Sequence, residues 1–147
     1  MKLANGTAPV SSMMTAGIRV GIGTDGAASN NDLDLFDEIR SAALVHKLIS
    51  GDPAAMNART VIECVTCGGA RLLGIEDITG SIKRGKRADI ILIDLGKPHA
   101  WPAYNIYSLI VYSLRGSDVE SVIVDGKLLM EKGQLLTIDE KALYPEV

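Results

Sequence analysis

The hydrophobic period of the chain changes once, near residue 74, and that change limits the fold more than any other feature. Up to Leu73 the longer apolar patterns repeat at steps of three and four, the spacing of one helix face. Beyond it the apolar residues fall into short runs cut by glycine, which read as strands. The pattern predicts an α/β chain of two parts, residues 1–76 and residues 77–147, with the boundary near Asp77.

Within the first part, Pro9 to Ala16 reads as a short helix closed by Gly17. Ile18, Val20 and Ile22 then alternate with Arg19, Gly21 and Gly23, the period of a strand ending at Thr24. Two glycines weaken a strand unless something must approach it closely. A small polar loop leads to Asp32 and Asp34, which suit a helix N-cap. A helix from about Leu33 to Ser50 follows, with Leu35, Ile39, Ala42, Val45 and Ile49 as its core stripe and Gly51 and Pro53 as its end. Thr60 and Glu63 form a capping-box pattern, so a second helix is expected from Thr60 to about Leu73. Gly68 and Gly69 inside it imply that another backbone lies close.

In the second part, Asp89–Asp94, Glu120–Val124 and Lys127–Glu131 are strand-like, the last two joined by the hairpin signal Asp125-Gly126. Asn105–Leu114 fits a short helix about as well as a strand. The chain has 147 residues, fewer than the roughly 250 of a complete (β/α)8 barrel.

Charge narrows the partners. Fifteen Lys and Arg against eighteen Asp and Glu give a net charge of −3 with no block of one sign, which argues against nucleic acid and membrane surfaces. There is no apolar run of membrane-spanning length and no secretory leader pattern, so a cytoplasmic location is expected.

Four groups of residues invite a chemical reading. Asp25 stands at the C-terminal end of the first predicted strand, the catalytic edge of parallel α/β units, although Asp-Gly is also a common turn. Cys64 and Cys67 form one Cys-x-x-Cys without the second pair a structural zinc needs, and are expected to be inert, packed thiols. His46 borders a helix stripe and His99 lies among prolines; neither is expected to be catalytic. Lys83, Arg84, Lys86 and Arg87 read as a solvated basic turn, since Gly80 and Gly85 lack phosphate-loop spacing.

The run Gly-Thr-Asp-Gly-Ala-Ala-Ser-Asn-Asn-Asp-Leu-Asp-Leu-Phe over 23–36, with Met-Lys-Leu-Ala-Asn-Gly at 1–6, resembles the amidohydrolase superfamily. The resemblance is strongest to its methylthioadenosine/S-adenosylhomocysteine deaminase branch. Gly-Lys-Arg-Ala-Asp at 85–89 and Val-Ile-Val-Asp-Gly-Lys at 122–127 agree with it.

The resemblance implies that residues 1–76 are the last strand and helices of a (β/α)8 metal-dependent hydrolase barrel, and that residues 77–147 belong to the flanking β-sandwich. It implies that Asp25 is both metal ligand and catalytic residue of a parent enzyme. The parent would use a divalent metal, zinc or iron, on a small nucleoside-type substrate. A divalent metal lowers the pKa of bound water toward 7, and a neighbouring aspartate carries the proton to departing ammonia.

The family's His-x-His pair and later histidine ligands have no counterpart here, so no metal and no activity are expected of the chain alone. Met1 aligns inside the family's length, as in the last third of an enzyme. Self-association, or a chain supplying the missing barrel strands, is the expected partnership. The alternatives are a stand-alone oligomerisation module, or a fragment of a relative acting on amino- or chloro-substituted rings.

Overall fold

The computed structural model describes residues 3–143. Met1 and Lys2 of the first resembling stretch lie outside them. The helical part runs α1 (Val10–Thr15), α2 (Leu35–Ser50), α3 (Ala58–Val65) and α4 (Cys67–Leu73). The remainder holds β1 (Ile90–Ile93), α5 (Ile106–Tyr112), β2 (Val119–Val124), β3 (Lys127–Glu131), β4 (Gln134–Leu135) and α6 (Glu140–Leu143).

Local chemistry explains where α2 starts and stops. Asp34 Oδ1 accepts the Phe36 backbone N–H at 2.8 Å, and Gly51 closes the helix in the left-handed conformation at φ 64°. Leu33, expected inside the helix, has φ 52° and lies before the cap. The stripe is also shifted. Ile39 and Ala43 are buried, whereas Leu35 and Ile49 face solvent, and Ala42 and Val45 line a cleft instead of the core.

The predicted helix over 60–73 is two helices broken at Thr66. Its cap is Asn57, whose Oδ1 accepts the Thr60 N–H at 3.1 Å, so Thr60 receives a cap and does not supply one. Gly68 explains why the break takes glycine. A Cβ there would lie 2.6 Å from the Glu63 carbonyl oxygen, and one at Gly69 would lie 3.0 Å from that of Cys64. Another backbone does come close, since a Cβ on Gly21 would sit 3.6 Å from Gly69 Cα and 3.0 Å from a Leu72 methyl.

Residues 18–24, expected from the alternation to be a strand, carry no regular secondary structure. Among the described residues, the backbone of 19–24 makes no hydrogen bond to another backbone group. The segment lies along α3 and α4, with Arg19 Nη1 donating to the Arg71 carbonyl at 2.8 Å.

The four strands form one antiparallel sheet in the order β1-β2-β3-β4. Asp125 (φ 51°) and Gly126 (φ 77°) make the two-residue turn between β2 and β3, where both residues need positive φ. Asn105–Leu114 resolves as α5, capped by Asn105 Oδ1 on Ser108 N–H at 3.0 Å. Helix α5 joins the parts. Its Val111 packs with Ile39, Ala43, Val61 and Cys64, while its Leu109 packs with Ala100 and Leu114. Phe36, the single phenylalanine, borders both clusters.

The basic turn is only partly solvated. The Lys86 ammonium donates to the carbonyls of Glu76 and Thr79 and to Ser81 Oγ, tying the chain back toward α4, while Arg87 pairs with Asp125 at 3.5 Å. Among the described residues no helix is long and apolar enough to cross a membrane.

Candidate active site

Asp25 is exposed and lines a cleft of about 590 Å³ between the segment ending at Thr24 and α2. Gly6, Thr7, Ile22, Glu38, Val45 and His46 are among its lining residues. The Asp25 backbone has φ 61°, a strained conformation for a residue with a Cβ. Ser29 Oγ donates to Asp25 Oδ2 at 2.6 Å. That hydroxyl, and then the Gly26 backbone N–H, hold the carboxyl below its ordinary range, so it is ionised at neutral pH.

The loop behind Asp25 is compact. Ser29 and Asn30 both donate their backbone N–H to the Gly26 carbonyl at 3.0 Å. Asn30 Oδ1 accepts the Leu33 N–H at 3.3 Å, and its Nδ2 donates to Glu38 Oε1 on α2 at 2.5 Å. Asp34 anchors the far end with both oxygens, since its Oδ2 accepts the Gly116 N–H at 3.0 Å. A Cβ on Gly116 would fall 2.8 Å from that oxygen, so the approach needs glycine.

A second carboxylate has a contrasting setting. Asp118 is 1% exposed and accepts from Lys97 Nζ at 2.8 Å and the Arg115 N–H at 2.9 Å, with His99 Nε2 also at 2.8 Å. Burial raises its pKa, but the Lys97, His99 and Arg115 contacts outweigh that and bring it to about 2. It clasps the 98–100 turn to the start of β2.

The expected site residues therefore separate. Asp25 is in the cleft, and His46 lines the same cleft from α2. His99 is a structural partner of Asp118. Cys64 is buried, and burial pushes its thiol pKa up, as suits an inert packed cysteine; Cys67 is half-buried and also free. Ser29, Asn30 and Glu38 escaped the sequence reading. A serine four residues after the aspartate was the available signal for the first, and nothing in the local pattern marked Glu38.

Comparison with known proteins fits this cleft into a larger frame. Residues 1–129 match the amidohydrolase family. The chain belongs to the amidohydrolase family. A 5-methylthioadenosine/S-adenosylhomocysteine deaminase from Syntrophus aciditrophicus (strain SB) is 53% identical over the whole chain, which covers 33% of that protein. A 5'-deoxyadenosine deaminase from Methanosarcina acetivorans is 51% identical over 99% of the chain and 33% of its own length. Among solved structures, a zinc-bound adenosine deaminase from Xanthomonas campestris superposes with a TM-score of 0.94 at 39% identity, covering 99% of this chain and 33% of that one. This amidohydrolase chain thus spans about a third of the length of the relatives it matches.

Among the described residues no three His, Cys, Asp or Glu side chains converge to hold an ion. Asp25 suits one carboxylate ligand of a divalent metal, but the set does not fit a complete centre, which takes about three protein ligands.

Proposed function

We propose that this chain is the C-terminal portion of a metal-dependent hydrolytic deaminase acting on an adenosine-type nucleoside such as methylthioadenosine or S-adenosylhomocysteine. One coincidence carries the reading. An ionised, exposed carboxylate, Asp25, lines a cleft in a chain 53% identical throughout to a deaminase of that kind. In this reading residues 1–76 complete a (β/α)8 barrel and residues 77–147 form part of its flanking β domain.

Asp25 acts by moving a proton. Hydrolytic deamination adds a water oxygen to the ring carbon that bears the amino group, and the bond from that carbon to nitrogen then breaks. Asp25 takes the proton released by the water and returns it to the nitrogen, which leaves as ammonia. Ser29 keeps the carboxylate aimed and ionised for the first transfer. Asp25 would also contribute one ligand to a divalent metal, zinc or iron, whose other ligands come from protein beyond the residues described.

A nucleoside substrate is favoured over amino- or chloro-substituted triazines by the likeness itself. Identity is 39% to the solved adenosine deaminase and 29% to an atrazine chlorohydrolase from Arthrobacter aurescens TC1. A stand-alone oligomerisation module is the second reading, supported by the unpaired backbone at 19–24.

The test is a chimera joining the preceding two thirds of the Syntrophus aciditrophicus deaminase to this chain. It is expected to release ammonia from methylthioadenosine or S-adenosylhomocysteine, and Asp25→Asn is expected to lower the rate about 100-fold or more. A folded chimera that deaminates neither nucleoside overturns the substrate assignment. An Asp25→Asn chimera as fast as its parent overturns the role of Asp25.

A further inference from the structure

We infer that Glu38 is a positioning residue for Asp25, acting through the side chain of Asn30. The inference rests on reading Asp25 as the reacting carboxylate. It starts from a mechanical question, because Asp25 is exposed and follows a segment whose backbone is unpaired among the described residues. Its positive φ and that of Leu33 are strained states, which persist only where surrounding contacts fix them.

Those contacts lead to α2. Ser29 holds the Asp25 carboxylate, and Ser29 and Asn30 share the Gly26 carbonyl as backbone acceptor, so the two residues move together. The Leu33 N–H on Asn30 Oδ1 fixes which way the amide points, leaving Nδ2 directed at Glu38 Oε1. Glu38 stands in the first turn of a 16-residue helix, beside the buried Ile39, and is far less free to shift than the loop. A carboxylate acceptor also makes a stronger bond than a neutral one. Thus the loop that aims Ser29 at Asp25 is tied to the helix by a charge-assisted contact, and loss of Glu38 releases the aim without touching Asp25.

The 147-residue chain itself gives a readout independent of deamination. At a single neutral pH, hydrogen exchange of the residue 29 and residue 30 backbone N–H groups, which both donate to the Gly26 carbonyl, is followed by NMR in the wild type and in Asn30→Ala, Glu38→Ala and Glu38→Gln. Asn30→Ala and Glu38→Ala are expected to speed exchange at both positions about 10-fold or more, with helix content by circular dichroism unchanged. Glu38→Gln, which keeps an acceptor oxygen for Asn30, is expected to stay close to the wild type.

In the active chimera, Glu38→Ala is expected to lower kcat about 10-fold or more with KM nearly constant, as a misplaced reacting group does, and Glu38→Gln to restore most of it. Loop exchange unmoved by Asn30→Ala and Glu38→Ala overturns the inference, as does a Glu38→Gln variant no better than Glu38→Ala. If Glu38→Ala unfolds, Asn30→Ala decides alone, because it leaves α2 intact. A chimera without deaminase activity sinks the proposed function while the loop exchange still judges the positioning role.

Discussion

Asp25 and Asp118 are both carboxylates held ionised by hydrogen bonds, yet their burial gives them different work. Asp118 lies out of solvent, so its lowered pKa is a statement about stability. The shift from an ordinary 3.8 to about 2 corresponds to about 2 kcal/mol, present at neutral pH. Because the folded value is the lower one, this stability is complete above about pH 4 and is lost as pH falls toward 2. Chemical denaturation in Asp118→Asn should therefore give a loss of about 2 kcal/mol at pH 7, shrinking as the pH is lowered through that window. A loss equal at pH 7 and pH 2.5 would remove the ionic account. Asp25 is exposed and predicts a ligand count instead. With one carboxylate suited to a metal, the 147-residue chain should retain no stoichiometric ion after dialysis, and one zinc or iron per chain by elemental analysis would contradict this. The position of Asp25 after an alternating, glycine-containing segment and before a helix was visible in the sequence because those signals are local, whereas the role proposed for it came from the family resemblance. The sequence hid Asp118, whose partners Lys97 and His99 lie about twenty residues away and meet it only through the fold.

Helix α2 and the β2–β3 hairpin could be read in advance because their determinants sit within a few residues: Asp34 and Gly51 at the helix ends, Asp125-Gly126 at the turn. The α3–α4 break could not. Periodicity across 60–73 is uninterrupted, and the departure at Thr66 (φ −118°, ψ −106°) depends on how the 18–24 segment and residue 80 press on this corner. Gly80 shows the crowding, since a Cβ there would lie 2.5 Å from that of Ala70. The break makes two principles disagree in sign. Helix propensity says that Gly68→Ala stabilises by about 1 kcal/mol. Contact with the Glu63 carbonyl at 2.6 Å says that the backbone must shift, at a cost of about 1–3 kcal/mol. We expect packing to win and the variant to unfold at lower denaturant concentration than the wild type. A higher midpoint would mean that α3 and α4 can rejoin as one helix.

At the scale of the molecule, the same chain holds well-built cores and apolar surface that has no cover within the described residues. The two clusters around α5 fix the helices to the sheet. Elsewhere Ile18 is 51% exposed, Leu73 72% and Leu48 83%, and the backbone of 19–24 is unpaired among the described residues. Edges of this kind pair with other chains. A standard interface buries about 1,600 Å² in total, and at about 25 cal/mol per Å² of apolar area its gross gain exceeds the several kcal/mol that association costs in lost freedom. The chain should therefore self-associate at micromolar concentration, most simply as a two-fold dimer joined at the 18–24 segment and its neighbouring helices. Sedimentation velocity over a hundredfold dilution series gives the measurement. Arg19→Pro, placed in the segment whose backbone would pair, should shift the series toward monomer, since proline removes a donor from any strand it enters. A wild type that sediments as a monomer throughout, with cooperative unfolding, would show that the exposed surface is tolerated without a partner.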